Sequence, residues 1–358
     1  MQIKWVRGYG TVNLAVPSLW FVQGGKNTGK SSFLEHLGEL NLARGHAIFD
    51  VYSSRDGESL AWLRSRWAEQ KRVLLLKGPG VDVCCSWDVK DADNVTVKDF
   101  DSYDLVISSP PLYLSMDQEY TLLAMVFDKL YTRRLSWNRI IYALLREASG
   151  FFYSRLRLLE DQAAAKTQGI FMLREMRHCG LSCGLDAIRL LDLDASVRAI
   201  SDYLVLKAHG PMTIGAELRW LFRYFTPTSM MAMPQNRFVI ITRTGGVGYG
   251  SFQMPVWHKR LKENILNAVG VKIEYGDVPR QAENRGTYVT VADQEHAQII
   301  DLYLNHGLGM GRIAKQLGRS SATVKNQIDM HNSSIDKLGY CTACRRVKAP
   351  HEAEKAQR

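Results

Sequence analysis

Between residues 24 and 31 the chain reads Gly-Gly-Lys-Asn-Thr-Gly-Lys-Ser, which satisfies G-x-x-x-x-G-K-[ST] at every fixed position. The chemistry of that spacing is narrow. A glycine-rich turn lets backbone N–H groups converge on a phosphate, and a helix starting just after it adds the positive end of its dipole. Lys30 is then expected to reach the β- and γ-phosphates of ATP, and the Ser31 hydroxyl to hold Mg2+. The full nucleotide-contacting set is Gly24, Gly25, Lys26, Asn27, Thr28, Gly29, Lys30, Ser31 and Ser32. The flanks fit this purpose. Leu19-Trp20-Phe21-Val22 predicts a short buried strand entering the loop, and Ser32 to Leu37 begins a helix with Phe33 and Leu37 on one face.

Phosphate binding alone does not hydrolyse anything. Hydrolysis needs a group at the tip of a neighbouring strand to orient a water. The apolar run Ile140 to Leu145, followed by Arg146-Glu147, is the best candidate. Where a Walker B aspartate is paired with a catalytic glutamate, the pattern is an apolar strand and then Asp-Glu. Here Arg146 stands in the aspartate slot and Glu147 in that of the water-activating glutamate. Asp50 or Asp104 could substitute as the missing acid. Glu147 could instead simply begin a helix, where a carboxylate suits the dipole. Arg198, expected to open a helix after Asp192-Leu193-Asp194, could sense phosphate or act across a subunit boundary; Arg133, Arg134 and Arg155 compete for that role. Ser53 to Glu58 follows a strand at Ala47–Val51 and lies either near the γ-phosphate or at the start of a helix over residues 59–68, with Ser54 or Asp56 as its cap.

A second constellation occupies residues 291–335. Asp293 caps a helix whose apolar face carries Ile299, Ile300, Leu302 and Tyr303. Met310 to Leu317 forms a short second helix, Gly318 turns the chain, and Ser320 or Ser321 caps a third. That order is the order of helix-turn-helix DNA readers, with a small trihelical protein-contact bundle as the alternative. Read as a DNA reader, the third helix presents Ser321, Thr323, Lys325, Asn326 and Gln327 to the major groove, while Lys315 and Arg319 hold phosphates. Beyond it, Cys341 and Cys344 form half of a zinc site, which His331 or His351 could complete; a reduced cysteine pair on a basic tail is the other reading. Cys179 and Cys183 read as buried core thiols.

These residues must be positioned by a sizeable scaffold. The first two hundred residues alternate apolar strands with helical stretches: strands at 73–76, 104–108, 139–145, 184–190 and 203–207, and helices at 117–131 and 151–176. This favours an α/β fold with a mainly parallel sheet. Phe238 to Ile241 predicts another strand, and Gly245 to Gly250 a hairpin turn with no Lys-Ser/Thr to make it a second phosphate loop. The expected organisation is an ATPase domain over 1–275 with its core at 19–210, a linker at 276–290, the three-helix domain at 291–335 and a basic cysteine-bearing tail at 336–358. A chain of 358 residues, 46% hydrophobic, can bury such a core plus one small domain. No apolar run reaches the roughly 18 residues of a membrane span, and the N-terminus lacks a signal core. Six cysteines in this length read as reduced thiols, so a cytoplasmic setting is expected. The net charge of +10 favours an anionic partner.

The order of phosphate loop, carboxylate-tipped central strand, later strand with an Arg-bearing helix, and terminal helix-turn-helix resembles the FtsK–HerA class of DNA-translocating and packaging ATPases. The resemblance covers Leu19 to Lys207, and only the loop is highly specific. It implies a P-loop NTPase of RecA/ASCE-like fold, with Lys30 and Ser31 on nucleotide, Glu147 activating water and Arg198 near a subunit boundary. It also implies double-stranded DNA as partner and a homo-oligomer, hexameric in much of the class. Arg146 departs from the class pattern. An ATP-regulated DNA-binding switch with slow turnover is the alternative function; a small-molecule kinase is disfavoured by the absence of an evident lid.

Overall fold

The computed structural model describes residues 1–8, 10–52, 57–135, 137–153, 161–210, 215–258, 265–275 and 293–333. It divides into two compact units, Met1–Arg280 and Gln281–Arg358.

Among the described residues the first unit is built on one eleven-stranded sheet. Its strands in chain order are β1 (Gln2–Arg7), β2 (Leu19–Gln23), β3 (Ala47–Tyr52), β4 (Val73–Lys77), then β6 (Asp88–Asp91), β7 (Leu105–Ser108), β8 (Ile141–Leu145), β9 (Leu181–Ala187), β10 (Tyr203–Leu206), β11 (Arg237–Thr242) and β12 (Val247–Ser251). The remaining two, β5 (Val81–Cys84) and β13 (Lys272–Tyr275), pair separately as an antiparallel ribbon. The spatial order is β1-β12-β11-β10-β2-β9-β8-β3-β7-β4-β6. Everything from β10 to β6 is parallel; β11, β12 and β1 add an antiparallel flank. Parallel strands need helical crossovers that cover both faces, so central strands become apolar throughout. Every residue of β2, β8 and β9 is accordingly buried. Each large side chain among them stabilises the fold by roughly 1.5–3 kcal/mol.

The helices are α1 (Lys30–Leu42), α2 (Arg66–Gln70), α3 (Val97–Ser102), α4 (Met116–Tyr131), α5 (Asp161–Glu175), α6 (Ala195–Ile200), α7 (Pro227–Met231) and α8 (Ile265–Ala268). The expected one-sided helix after the loop is instead buried nearly all round: in α1, Ser32 through Gly38 are all enclosed. At Gly184 on β9 an added Cβ would lie 2.8 Å from Leu34 and 2.2 Å from the Tyr142 hydroxyl, so glycine lets α1 press onto the sheet.

Other expectations shift. The strand expected at 184–190 runs over Leu181–Ala187, and the helix expected at 59–68 is a 3-10 turn, Glu58–Arg64, followed by α2. Of the glycine-rich stretch expected as a turn at 245–250, only Gly245 and Gly246 lie in the turn; Val247 to Gly250 are in strand β12. Ser54 and Asp56, the caps expected there, and Arg155 lie outside the described residues. Among the described residues no helix is long and apolar enough to cross a membrane.

The second unit carries α9 (Asp293–Leu304), α10 (Met310–Leu317) and α11 (Ser321–Ser333) around Ile299, Ile300, Ile313, Ala314, Val324 and Ile328. Gly318, at φ +65°, ends α10 in the left-handed conformation. Ser320 is the cap of α11: its Oγ accepts from the Thr323 amide at 3.0 Å. Cys341, Cys344 and His351 lie outside the described residues.

Candidate nucleotide site

Strand β2 delivers the phosphate loop between its neighbours β9 and β10, and those neighbours hold it. The Gly24 amide donates to the Ala187 carbonyl at 3.3 Å, and the Gly25 amide to the Ala208 carbonyl at 2.9 Å. Inside the loop, Thr28 Oγ1 and Lys30 Nζ both donate to the Gly25 carbonyl, at 2.9 and 2.8 Å. Gly29 sits at φ +83° with its Cα facing the Gln235 carbonyl; an added Cβ would come within 2.7 Å of that oxygen. Asn27, at φ +57°, is pinned by Gln235, whose Nε2 donates to the Asn27 carbonyl at 2.6 Å. The first turn of α1 has no acidic residue, so nothing on the helix itself competes for the dipole's positive end. A cavity of about 560 Å3 opens beside the loop, lined by Gly25, Lys26, Thr28, Ile188, Ala208, His209, Gly210 and Met231.

The segment carrying Gln235 is anchored by Lys207. Its ammonium is buried, donates to the Gln235 and Arg237 carbonyls at 2.6 Å each, and lies 4.6 Å from the Phe252 ring centroid. Burial pushes that ammonium down to about 7.

Strand β8 is separated from β2 by β9 alone. Its tip carries Arg146 and Glu147, which point to different environments. Glu147 is exposed and adopts φ +50°, a conformation rare outside glycine. It opens a tight turn rather than a helix. Its amide donates to Asp186 Oδ1, and the next amide, of Ala148, donates to the Asp186 carbonyl at 2.8 Å. Asp186 belongs to β9, one residue before the carbonyl that holds Gly24, so the turn and the phosphate loop share a support. Burial raises the Asp186 carboxyl to about 6, against the pull of Lys30.

Arg146 is completely buried and turns inward. Its guanidinium donates to Glu35 Oε1 on α1 at 2.6 Å and to Asp50 Oδ2 on β3, with Glu58 Oε2 at 3.8 Å. Burial alone would lower its pKa, but the three carboxylates more than offset that and hold it above the ordinary arginine value. Asp50 also accepts from Trp62 Nε1 at 2.8 Å, and burial pushes its carboxyl up. The β3–β8 register shifts between Asp50 and Tyr52, which bends β3 next to the guanidinium. His258 completes the cluster, with Nδ1 2.7 Å from Glu35 Oε2 and Nε2 3.5 Å from Glu58 Oε1. Glu58 Oε2 in turn lies 3.5 Å from Ser31 Oγ.

Asp50, expected near the γ-phosphate, is thus sealed by Arg146 and Trp62. Asp104 precedes β7 and pairs with Arg139 at 2.8 Å, at the strands' N-terminal edge and away from the loop. Arg198 lies in the last turn of α6, not its first, and leads into the start of β10, so it does not line the phosphate loop of its own chain. Arg133 is buried against Asp101 and the Cys179 and Arg139 carbonyls, a structural role. Arg134 packs over Tyr131. Cys179 and Cys183 are buried free thiols, as expected. The sequence reading missed Glu35, His258, Gln235 and Lys207 as parts of the site. Only Glu35 gave a local signal, a carboxylate among Phe33, Leu34 and Leu37 in the helix that the loop begins.

On α10 and α11, Lys315, Arg319, Ser321, Lys325 and Asn326 are exposed, while Thr323 and Gln327 are half-buried. Arg319 is engaged bidentately by Glu295 at 2.7 and 3.0 Å, and Gln327 Oε1 lies 2.7 Å from buried His296 Nδ1. His331 is buried against the His296 ring.

A phosphate loop between a central parallel strand and a helix, with the carboxylate-tipped strand one position removed, defines a P-loop NTPase fold. No family model matches the sequence, and no curated protein is similar to it. Among solved structures the chain is similar to the genome-packaging NTPase B204 of Sulfolobus turreted icosahedral virus 2 in complex with ATP-gammaS, at 15% identity over 67% of this chain and 98% of that one, TM-score 0.38. It is also similar to B204, the DNA-packaging ATPase of Sulfolobus turreted icosahedral virus, at 16% identity over 67% and 100% with TM-score 0.42. The cytoplasmic domain of the type VII secretion ATPase EccC of Thermomonospora curvata aligns at 10% identity over 66% of this chain and 24% of that one, TM-score 0.38.

Proposed function

We propose that this chain is an ATP hydrolase of the FtsK–HerA class that acts as a motor on double-stranded DNA. The observation that carries the reading is the exposed Glu147, held at the tip of β8 by the same strand that supports the phosphate loop. In the proposed cycle the loop amides from Lys26 to Ser32 receive the triphosphate. Lys30 leaves the Gly25 carbonyl for the β- and γ-phosphates. Glu147 orients the attacking water, and Asp186 fixes the turn that presents it. The Ser31 hydroxyl, with the Glu58 carboxylate beside it, is an oxygen donor set that suits Mg2+, which when bound neutralises charge on the phosphate oxygens. The three-helix unit is read as the DNA reader, through Ser321, Lys325 and Asn326 on its exposed face, with the half-buried Thr323 and Gln327 beside them and Lys315 and Arg319 on phosphates. A homo-oligomeric ring, with Arg198 acting across its subunit boundaries, accompanies this reading.

The test is steady-state ATP hydrolysis with and without long double-stranded DNA at low and moderate salt. Stimulation that grows with DNA length supports a motor, and Lys30→Ala should abolish tight ATP binding. One observation favours a second reading: Arg146 in place of the usual acid. ATP binding with negligible turnover, and DNA affinity that changes with nucleotide, would identify an ATP-regulated switch instead.

A further inference from the structure

Arg146 removes the acid that would ordinarily stand beside the metal, yet its neighbours put one back. Three carboxylates, Glu35, Asp50 and Glu58, face the Arg146 guanidinium, and among the described residues paired with them His258 adds at most one further positive charge. Buried carboxylates in excess of buried cations are costly unless a proton or another cation neutralises them. Two of the three are closed off. Asp50 is held by Arg146 and Trp62, and Glu35 by Arg146 and His258; both are fully buried. Glu58 alone keeps part of its side chain, 10%, accessible, and it lies beside Ser31, the hydroxyl the loop reserves for a metal. Gly57, at φ +73°, turns the chain so that Glu58 leads the 3-10 helix at this point.

We propose that Glu58 is the carboxylate that holds Mg2+ at the Ser31 hydroxyl, and that Arg146 and His258 are positioning residues that fix it there. The acid has moved from the tip of β8 to the turn after β3, and the arginine that took its slot orients the replacement. This rests on the ATP-binding reading above.

The experiment measures the affinity for ATPγS in saturating MgCl2 and in EDTA, and takes the ratio. Glu58→Gln should lower that ratio by about tenfold or more, as loss of groups that support a metal does, while leaving the EDTA affinity near wild type. Arg146→Lys keeps the charge but loses the fork that spans Glu35 and Asp50, and should lower the ratio in the same direction. Mn2+ in place of Mg2+ gives an independent readout: the paramagnetic resonance spectrum of the Mn2+–ATPγS complex should change in Glu58→Gln. A wild-type ratio in Glu58→Gln overturns the proposal. So does an equal fall in both affinities, which would make Glu58 a structural residue. So does a ratio lost in Asp186→Asn and kept in Glu58→Gln, which would hand the role to β9. If the wild-type chain binds no ATPγS in either buffer, the phosphate-loop reading fails, and this one with it.

Discussion

At Glu147 the proposed catalytic role and backbone comfort pull in opposite directions. A left-handed φ in a residue with a Cβ costs about 1–2 kcal/mol, and glycine gives back part of that through its freer unfolded chain. Glu147→Gly should therefore raise stability by roughly 0.5–1 kcal/mol in denaturant melts, and Glu147→Gln should leave stability unchanged. Both should bind ATP and fail to turn it over in single-turnover assays. A second residue makes a pH prediction. Glu119 on α4 is 2% exposed, its Oε1 has no hydrogen-bond partner, and burial raises its carboxyl to about 8 from 4.5. The folded chain thus holds a proton that the unfolded chain has released. The stability of the protonated acid is complete below about 4.5 and is lost as pH rises to about 8. Glu119→Gln has no proton to lose. Its advantage over wild type should open between those limits, reach roughly 5 kcal/mol and stay level above, as read by urea melts across pH.

At the scale of elements, the cluster around Arg146 joins α1, β3, β8 and the 3-10 turn after β3. Its members come from far apart in the chain: Arg146 is 111 residues from Glu35 and 96 from Asp50. That distance is why the phosphate loop was legible and the cluster was not. The loop is contiguous and each position has a fixed chemical job, whereas charge neutralisation inside a fold leaves no spacing to read. Arg146 was visible as a departure, but its partners were not. The cluster makes restoring the usual acid destructive. Arg146→Asp would bury a fourth carboxylate and should prevent folding. Arg146→Met, which takes away the guanidinium that all three carboxylates face, should cost about 3–5 kcal/mol in thermal or urea unfolding. The strand assignments failed where packing overrides propensity. In β9 Ser182 and Cys183 carry strand structure because both faces are covered, so the strand expected from Gly184 in fact begins at Leu181. In β12, two glycines within Val247 to Ser251 look like turn, yet pairing with β1 and β11 on either side keeps them extended.

At the scale of the whole molecule, the three-helix unit was legible because its boundaries are chemical: a left-handed glycine at 318, a serine cap at 320, and isoleucines spaced to meet in one core. Its surface was less so. Arg319 is taken by Glu295, and Gln327 faces His296. Lys315, Ser321, Lys325 and Asn326 are exposed. If the unit reads DNA, Lys325→Glu in the intact chain should weaken double-stranded DNA binding and flatten the dependence of affinity on salt by about one ion. ATP turnover without DNA should stay at its wild-type rate. The Gln235 tether ties the phosphate loop to the antiparallel flank. Asn27 is linked through Gln235 to Lys207 and thence to Arg237 at the start of β11. On the proposed reading, a triphosphate that displaced Asn27 would pull on Gln235 and, through Lys207, on Arg237 at the head of β11, a strand two positions from β2.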